Sequence, residues 1–376
     1  MRSRRLLVAR SFLLVTALAG LPSGGFAQSY SPILDSTEDQ TAQGVRGTAG
    51  SSALLACSYT PAGASAPQGM WWEGDLATNT GTAYQINPVI GSQVVTSALY
   101  YGPDTFEFNP TLGAGNIQIV GSYQYTGSTQ DNNGVLYTGP LDGSGTWTQI
   151  NVPDAVTGGT VANTVPHSVM GSIAVGNYNL NVGGSAVLGN AFLYNVTTQG
   201  WTIFDTPFGG TDKLTSAYGI WQNGVGSTSY TIAGGSAADG GVNKAFLIDY
   251  DSQSDTFSNL TYFTGGALTH FEGITGSPNG YNLVGVAGTS YLFATVDRIP
   301  GGGFGPATWT GPLSYPGAST TTGNTVIGDQ VLGIYQLPND ATVYAYVATV
   351  PEPAGLIGAL AALGCGGWLL RRRIGG

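Results

Sequence analysis

A repeating pattern runs through most of this chain, and it limits the fold more than any other feature. A glycine-rich apolar segment recurs at Val120-Gly121-Ser122, Val182-Gly183-Gly184, Ala233-Gly234-Gly235, Val284-Gly285-Val286 and Leu332-Gly333-Ile334. The middle glycines are 62, 51, 51 and 48 residues apart. Leu54-Leu55-Ala56-Cys57-Ser58 is a weaker first copy. Each copy precedes a second apolar segment: Met70-Trp71-Trp72, Val135-Leu136-Tyr137, Phe192-Leu193-Tyr194, Phe246-Leu247-Ile248, Tyr291-Leu292-Phe293 and Val343-Tyr344-Ala345-Tyr346. A polar turn then leads to an aromatic residue at Tyr84, Trp147, Trp201, Phe257 and Trp309. A third marker stands ahead of each glycine-rich segment. Thr96-Ser97-Ala98-Leu99-Tyr100-Tyr101-Gly102 matches Thr215-Ser216-Ala217-Tyr218-Gly219, with equivalent glycines expected at Gly44, Gly171, Gly273 and Gly323.

Three markers in constant order define six units of about 50 to 60 residues. Each unit reads as four short strands, rich in Val, Ile, Tyr, Phe, Trp and Thr between Gly, Asn, Asp, Pro and Ser turns. No long stretch has a 3.6-residue apolar period, so helices should be few. The predicted fold is all-β, a six-unit propeller of four-stranded blades with glycine-rich strands near the axis and aromatics between blades. A β-solenoid has shorter repeats, and a pair of β-sandwiches is the remaining alternative. The double-glycine strand followed by Tyr and then Trp loosely resembles Kelch-like propellers; units one, five and six depart most from that pattern. Residues 28–43 read as a polar lead-in or first edge strand, and residues 44–349 as the repeat domain. The sixth unit lacks an outer strand, so the segment Gln43 to Ser58 is expected to share a sheet with residues 321–348 and remove exposed edges.

The two ends have their own chemistry. Arg2, Arg4, Arg5 and Arg10 precede the apolar run Phe12 to Leu21, and Gly25-Phe26-Ala27 offers small residues for cleavage after Ala27. Residues 1–27 therefore read as a secretory signal peptide. At the other end, Pro351-Glu352-Pro353 precedes 17 uncharged residues, 354–370, and then Arg371-Arg372-Arg373. That length is near the minimum for a membrane helix, and arginines hold their end in the cytoplasm. The tail, residues 350–376, resembles the PEP-CTERM sorting signal of Gram-negative bacteria in order, spacing and position. The resemblance implies processing near Pro351-Glu352-Pro353 by a membrane protease-transpeptidase, an exosortase. It also implies passage through the inner membrane to the cell surface or matrix, in association with exopolysaccharide. A plain C-terminal anchor is the alternative. Cys365 lies in the predicted membrane helix, which leaves Cys57 alone in the central domain with no disulfide partner.

Between residues 28 and 350 stand four basic residues, Arg46, Lys213, Lys244 and Arg298, against twenty acidic ones, a formal charge of −16. That balance argues against nucleic-acid binding. Two cysteines and two histidines exclude a disulfide scaffold and a histidine-rich metal cluster. A hydrophobic content of 42% is too high for a disordered chain.

No nucleophile elbow, His-Glu-x-x-His, Cys-x-x-Cys or phosphate loop is present. His167 and His270 each fall shortly before a marker glycine, which puts them near one end of a propeller channel. There they could face one ligand with Glu272, Tyr101 and Tyr218; two unrelated histidines is the plainer account. Asp249, Asp251 and Asp255 offer oxygens of the kind calcium takes, but the spacing is not an EF-hand's and a hairpin turn explains it. No cofactor or metal is expected. Glu73 and Asp75 lie beside Trp71 and Trp72, an arrangement found in sugar sites; blade packing and a solvated turn explain it as well. The first functional expectation is an exported, non-enzymatic surface or matrix protein with a structural or adhesive role towards polysaccharide or another matrix protein; a domain that simply coats the surface is a further reading. The alternative is a secreted carbohydrate-active enzyme, with Glu73, Asp75 and Glu272 as candidate carboxylates.

Overall fold

The structure is a computed structural model that describes residues 28–35, 39–48, 52–204, 215–237, 243–265 and 268–350. The expected signal peptide to Ala27, the motif Pro351-Glu352-Pro353, the expected membrane helix 354–370, Cys365 and Arg371-Arg372-Arg373 lie outside them. No helix among the described residues is long and apolar enough to cross a membrane.

Residues 30–350 form one compact unit, a six-bladed β-propeller. Each blade is a four-stranded antiparallel sheet, and the first strand of each repeat lies innermost. The inner strands of blades one to six are Asp39–Gly47, Val95–Thr105, Val161–Met170, Thr215–Gln222, Leu268–Ser277 and Thr320–Ile327. Neighbouring inner strands touch in a closed cycle, the sixth against the first. Helical structure among the described residues amounts to Asp154–Thr157 and a 3-10 turn at Pro110–Leu112.

The strands read as continuous apolar runs because both faces of each blade are buried. Successive side chains point to opposite faces, so one strand feeds two interfaces. Leu54, Ala56 and Trp71 pack towards blade two with Tyr100, Tyr123 and Tyr137. Leu55, Cys57 and Trp72 pack towards blade six with Leu332, Ala345 and Val347. The core is thus divided into clusters between adjacent blades. Trp147 and Trp201 sit in such wedges as the repeat predicts, Trp147 against Tyr137 (ring centroids 4.6 Å apart) and Trp201 against Tyr194 (4.7 Å).

Four expectations need correction. The glycine-rich strands lie second from the axis, not innermost; Gly121, Gly234, Gly285 and Gly333 are paired one strand out. In blade three the equivalent residue is Gly176, because Gly183 forms the hairpin turn with φ +61°. In blade one that position is held by Cys57, paired with Ala42. Among the inner-strand glycines, Gly44, Gly102, Gly219 and Gly273 are equivalent, but Ser168 and Thr325 take that place in blades three and six.

The last two corrections concern closure. Gln43 to Ser58 does not join residues 321–348; it forms the inner hairpin of blade one. Ser29–Pro32 instead supplies the outer strand of blade six, next to Tyr344–Thr349. The lead-in 28–43 therefore contains that strand and the start of the next blade. Its polarity is that of an exposed edge, while Ile33 is buried and Tyr30 packs on Tyr346 at 5.7 Å. Tyr30 is the sixth outer aromatic, which the repeat pattern lacked.

Candidate functional site

Every inner strand breaks its ladder at one shared level. The register skips Gln43, Tyr101, His167, Tyr218, Glu272 and Asn324, one per blade. A β-bulge leaves one residue unpaired and re-aims its side chain. These six line a narrow cavity of about 20 Å³ on the axis, and each is half-buried between buried neighbours. The following glycine lets the inner strands approach closely. A Cβ on Gly44 would collide with the Tyr101 carbonyl oxygen, and one on Gly273 would come within 2.7 Å of Thr325 Cα.

Half of the ring is aromatic. Tyr101 lies 5.1 Å from His167, His167 4.5 Å from Tyr218, and Tyr218 stacks on His270 at 4.8 Å, centroid to centroid. The other half offers hydrogen bonds. Glu272 Oε1 lies 2.7 Å from His270 Nε2, whose Nδ1 meets Thr269 Oγ1 at 2.8 Å. Asn324 Nδ2 donates to Gln43 Oε1 at 3.0 Å. His167 Nε2 lies 2.7 Å from Asn177 Oδ1, and an N–H donated there leaves Nδ1 as an acceptor.

Burial sets the electrostatics. It pushes Tyr218 up to about 12 and raises Tyr101, and the Glu272 charge adds to both, so both phenols stay protonated. Burial lowers His167 and favours its neutral ring, against the pull of Glu272.

Beneath the ring, Arg46 extends from blade one across the axis. Its Nη2 donates to Ile220 O at 2.8 Å and Ser168 Oγ at 3.3 Å, and its Nη1 to Val45 O at 3.1 Å. Burial disfavours its charge, and the Asp104 carboxylate supports it. Asp104 is itself pushed up to about 6 by burial, against the opposing effects of Arg46 and of the backbone N–H groups of Gly171 and Thr105.

The structure thus brings His167, His270, Glu272, Tyr101 and Tyr218 together. It does not bring Glu73 or Asp75 to them. Glu73 lines a separate cavity with Glu107 and Asn116 at blades one and two, and Asp75 Oδ1 caps a turn, accepting from Ala77 N at 2.8 Å and Thr78 N at 3.1 Å. Asp249, Asp251 and Asp255 do not converge on a calcium site. Asp249 is paired with Arg298, Asp251 accepts from Gln253 N and Ser254 N, and Asp255 accepts from Tyr250 Oη. Among the described residues no group of three or more His, Cys, Asp or Glu could hold a metal ion. Sequence reasoning missed Gln43, Asn324, Arg46 and Asp104. The residue before each inner-strand glycine was the available signal, and it identifies four of the six ring positions.

The sequence matches no family model and no curated protein. Solved structures do resemble the fold. Trypanosoma rangeli sialidase bound to the inhibitor DANA superposes with a TM-score of 0.50 at 9% identity, over 89% of this chain and 61% of the sialidase. A GH93 α-L-arabinofuranosidase of Fusarium graminearum with arabinobiose gives 0.49 at 12% identity, over 86% and 98%. This chain therefore spans about 60% of the length of the sialidases it resembles. This likeness runs against the expectation of a non-enzymatic structural or adhesive protein, since the fold superposes on that of a sialidase. At these identities the likeness itself is one of fold.

Proposed function

We propose that the protein is a carbohydrate-active enzyme of the glycoside hydrolase class, working at the mouth of the propeller axis. One observation carries the reading: Glu272 stands, bonded to His270, in a ring of aromatic and amide side chains where six inner strands converge. A carboxylate in such a setting exchanges the proton that glycosidic cleavage needs. His270 orients that carboxylate. Tyr101 and Tyr218, held protonated, donate hydrogen bonds to sugar oxygens. The aromatic half of the ring offers faces for a sugar to lie against. The sialidase-like fold supports the class, and Glu272 is the carboxylate retained from the three sequence candidates.

The test is hydrolysis of a panel of glycans and aryl glycosides by residues 28–350. At least one should be cleaved, and Glu272→Gln should lower kcat by roughly 100-fold or more with the melting temperature unchanged. Absence of turnover across the panel would overturn the reading.

For its location we propose export by the signal peptide, passage through the inner membrane, and processing by an exosortase-type enzyme at Pro351-Glu352-Pro353, ending at the cell surface or matrix. Intact mass and fractionation from the native host test this. Loss of about the last 25 residues is expected, and replacing the motif with alanines should retain the protein in the inner membrane. An uncut native tail rules the route out.

A further inference from the structure

We propose that Thr269 is a positioning residue for the proton step at Glu272. Its hydroxyl serves both the neutral and the charged ring of His270, and so sets the pH range in which the site holds the proton that glycosidic cleavage needs. This rests on the hydrolase reading above and adds the control of that same site.

The inner strand Leu268–Ser277 skips its register at Thr269 as well as at Glu272. In a regular strand Thr269 and His270 would point to opposite faces. A bulge releases Thr269 from that alternation. Gly235 on the neighbouring blade makes room, since a Cβ there would come within 2.5 Å of His270 Cβ. The result is a chain of three side chains: Thr269 Oγ1 lies 2.8 Å from His270 Nδ1, and His270 Nε2 lies 2.7 Å from Glu272 Oε1. The Glu272 carboxylate can only accept, so Nε2 keeps its N–H whether the ring is neutral or charged. The proton that comes and goes therefore sits on Nδ1, facing Thr269. A hydroxyl donates to a bare Nδ1 and accepts from Nδ1–H, so the ring changes charge without releasing Glu272. The His270 and Glu272 side chains are 21% and 23% exposed, which lets water exchange that proton. The other groups facing the pair are Tyr218, stacked on His270, and Tyr101, both protonated; His167, held to its neutral ring by burial; and Arg46, which lines the same cavity as Glu272. While the His270 ring is charged, the pair carries a proton for the leaving sugar. That proton passes to the glycosidic oxygen as the C–O bond breaks, and the attacking water returns one.

Two variants test this. Thr269→Val keeps a β-branched side chain on the strand without a hydroxyl, and Thr269→Ser restores the hydroxyl. Nitrogen NMR follows the His270 ring of residues 28–350 through a pH titration, its signals assigned by their loss in His270→Asn. The ring should titrate roughly one pH unit lower in Thr269→Val, because a charge-assisted bond is the stronger one and Nδ1–H has lost its acceptor. Thr269→Ser should titrate with the parent. Equal titration of the parent and Thr269→Val overturns the inference and leaves the hydrolase reading standing. In kinetics, the alkaline limb of kcat/KM should move down by the same amount in Thr269→Val and return in Thr269→Ser; an unmoved limb also overturns the inference. Absence of turnover by the parent overturns the hydrolase reading and the catalytic use of the chain, while the NMR titration still decides whether Thr269 sets the charge of His270.

Discussion

Arg46 Nη2 donates to the carbonyl oxygen of Ile220 at 2.8 Å, which joins blade one to blade four, its opposite in the ring. Adjacent blades share apolar cores, but this bond reaches straight across the axis. The same side chain lies over the Trp221 ring at 5.7 Å.

Replacing that brace should be costly. Arg46→Met removes the bonds to Ile220 and Ser168 and strips Asp104 of its cationic support, so urea unfolding should show a loss of about 3 kcal/mol. Adding Asp104→Asn should recover part of that loss. A single variant as stable as the parent would contradict the bracing role.

Asp104 makes stability depend on pH. Its folded pKa of about 6 lies above the unfolded value, so between roughly pH 4 and 6 the folded state binds more of the proton. Its contribution to stability is therefore full below that window and is lost as pH rises through it, by about 3 kcal/mol at most. Urea midpoints from pH 4 to 7 should fall more steeply for the parent than for Asp104→Asn.

The inner-strand glycines are constrained by space. Gly44→Ala drives a methyl into the Tyr101 carbonyl and should cost about 1–3 kcal/mol. Gly63→Ala, at φ +78° with nothing nearby, should cost about 1 kcal/mol. Thermal melts of the two variants separate steric crowding from backbone strain, and equal costs would count against the close approach.

Deleting residues 28–33 should open blade six. The edge of Tyr344–Thr349 then lacks its partner, and the cover of Tyr30 on Tyr346 and Tyr315 is lost. Unpaired edges invite association. Size-exclusion chromatography should show dimers or aggregates together with a lower melting temperature; a monomer of unchanged stability would exclude closure by this strand.

The repeat period, the four-strand unit and the number of blades were legible in the sequence, because each blade needs the same small and aromatic residues at the same steps. Their place beside the third marker hints at the gathering of His167, His270, Glu272, Tyr101 and Tyr218, but two unrelated histidines account for the sequence more plainly, and the glycine that marks His167, Gly171, is not the equivalent one. What local pattern could not convey was pairing between distant residues. The strand that Ser29–Pro32 pairs with, Tyr344–Thr349, lies more than 300 residues away in sequence, and strand pairing is decided by backbone hydrogen bonds that carry no side-chain signature. The register skips likewise arise from pairing, so Gln43 and Asn324 looked like ordinary strand residues. Arg46 read as one of four scattered cations until closure of the ring put Ile220 within its reach. Sequence alone therefore determined the blade and its count, while only ring closure decided which side chains meet on the axis.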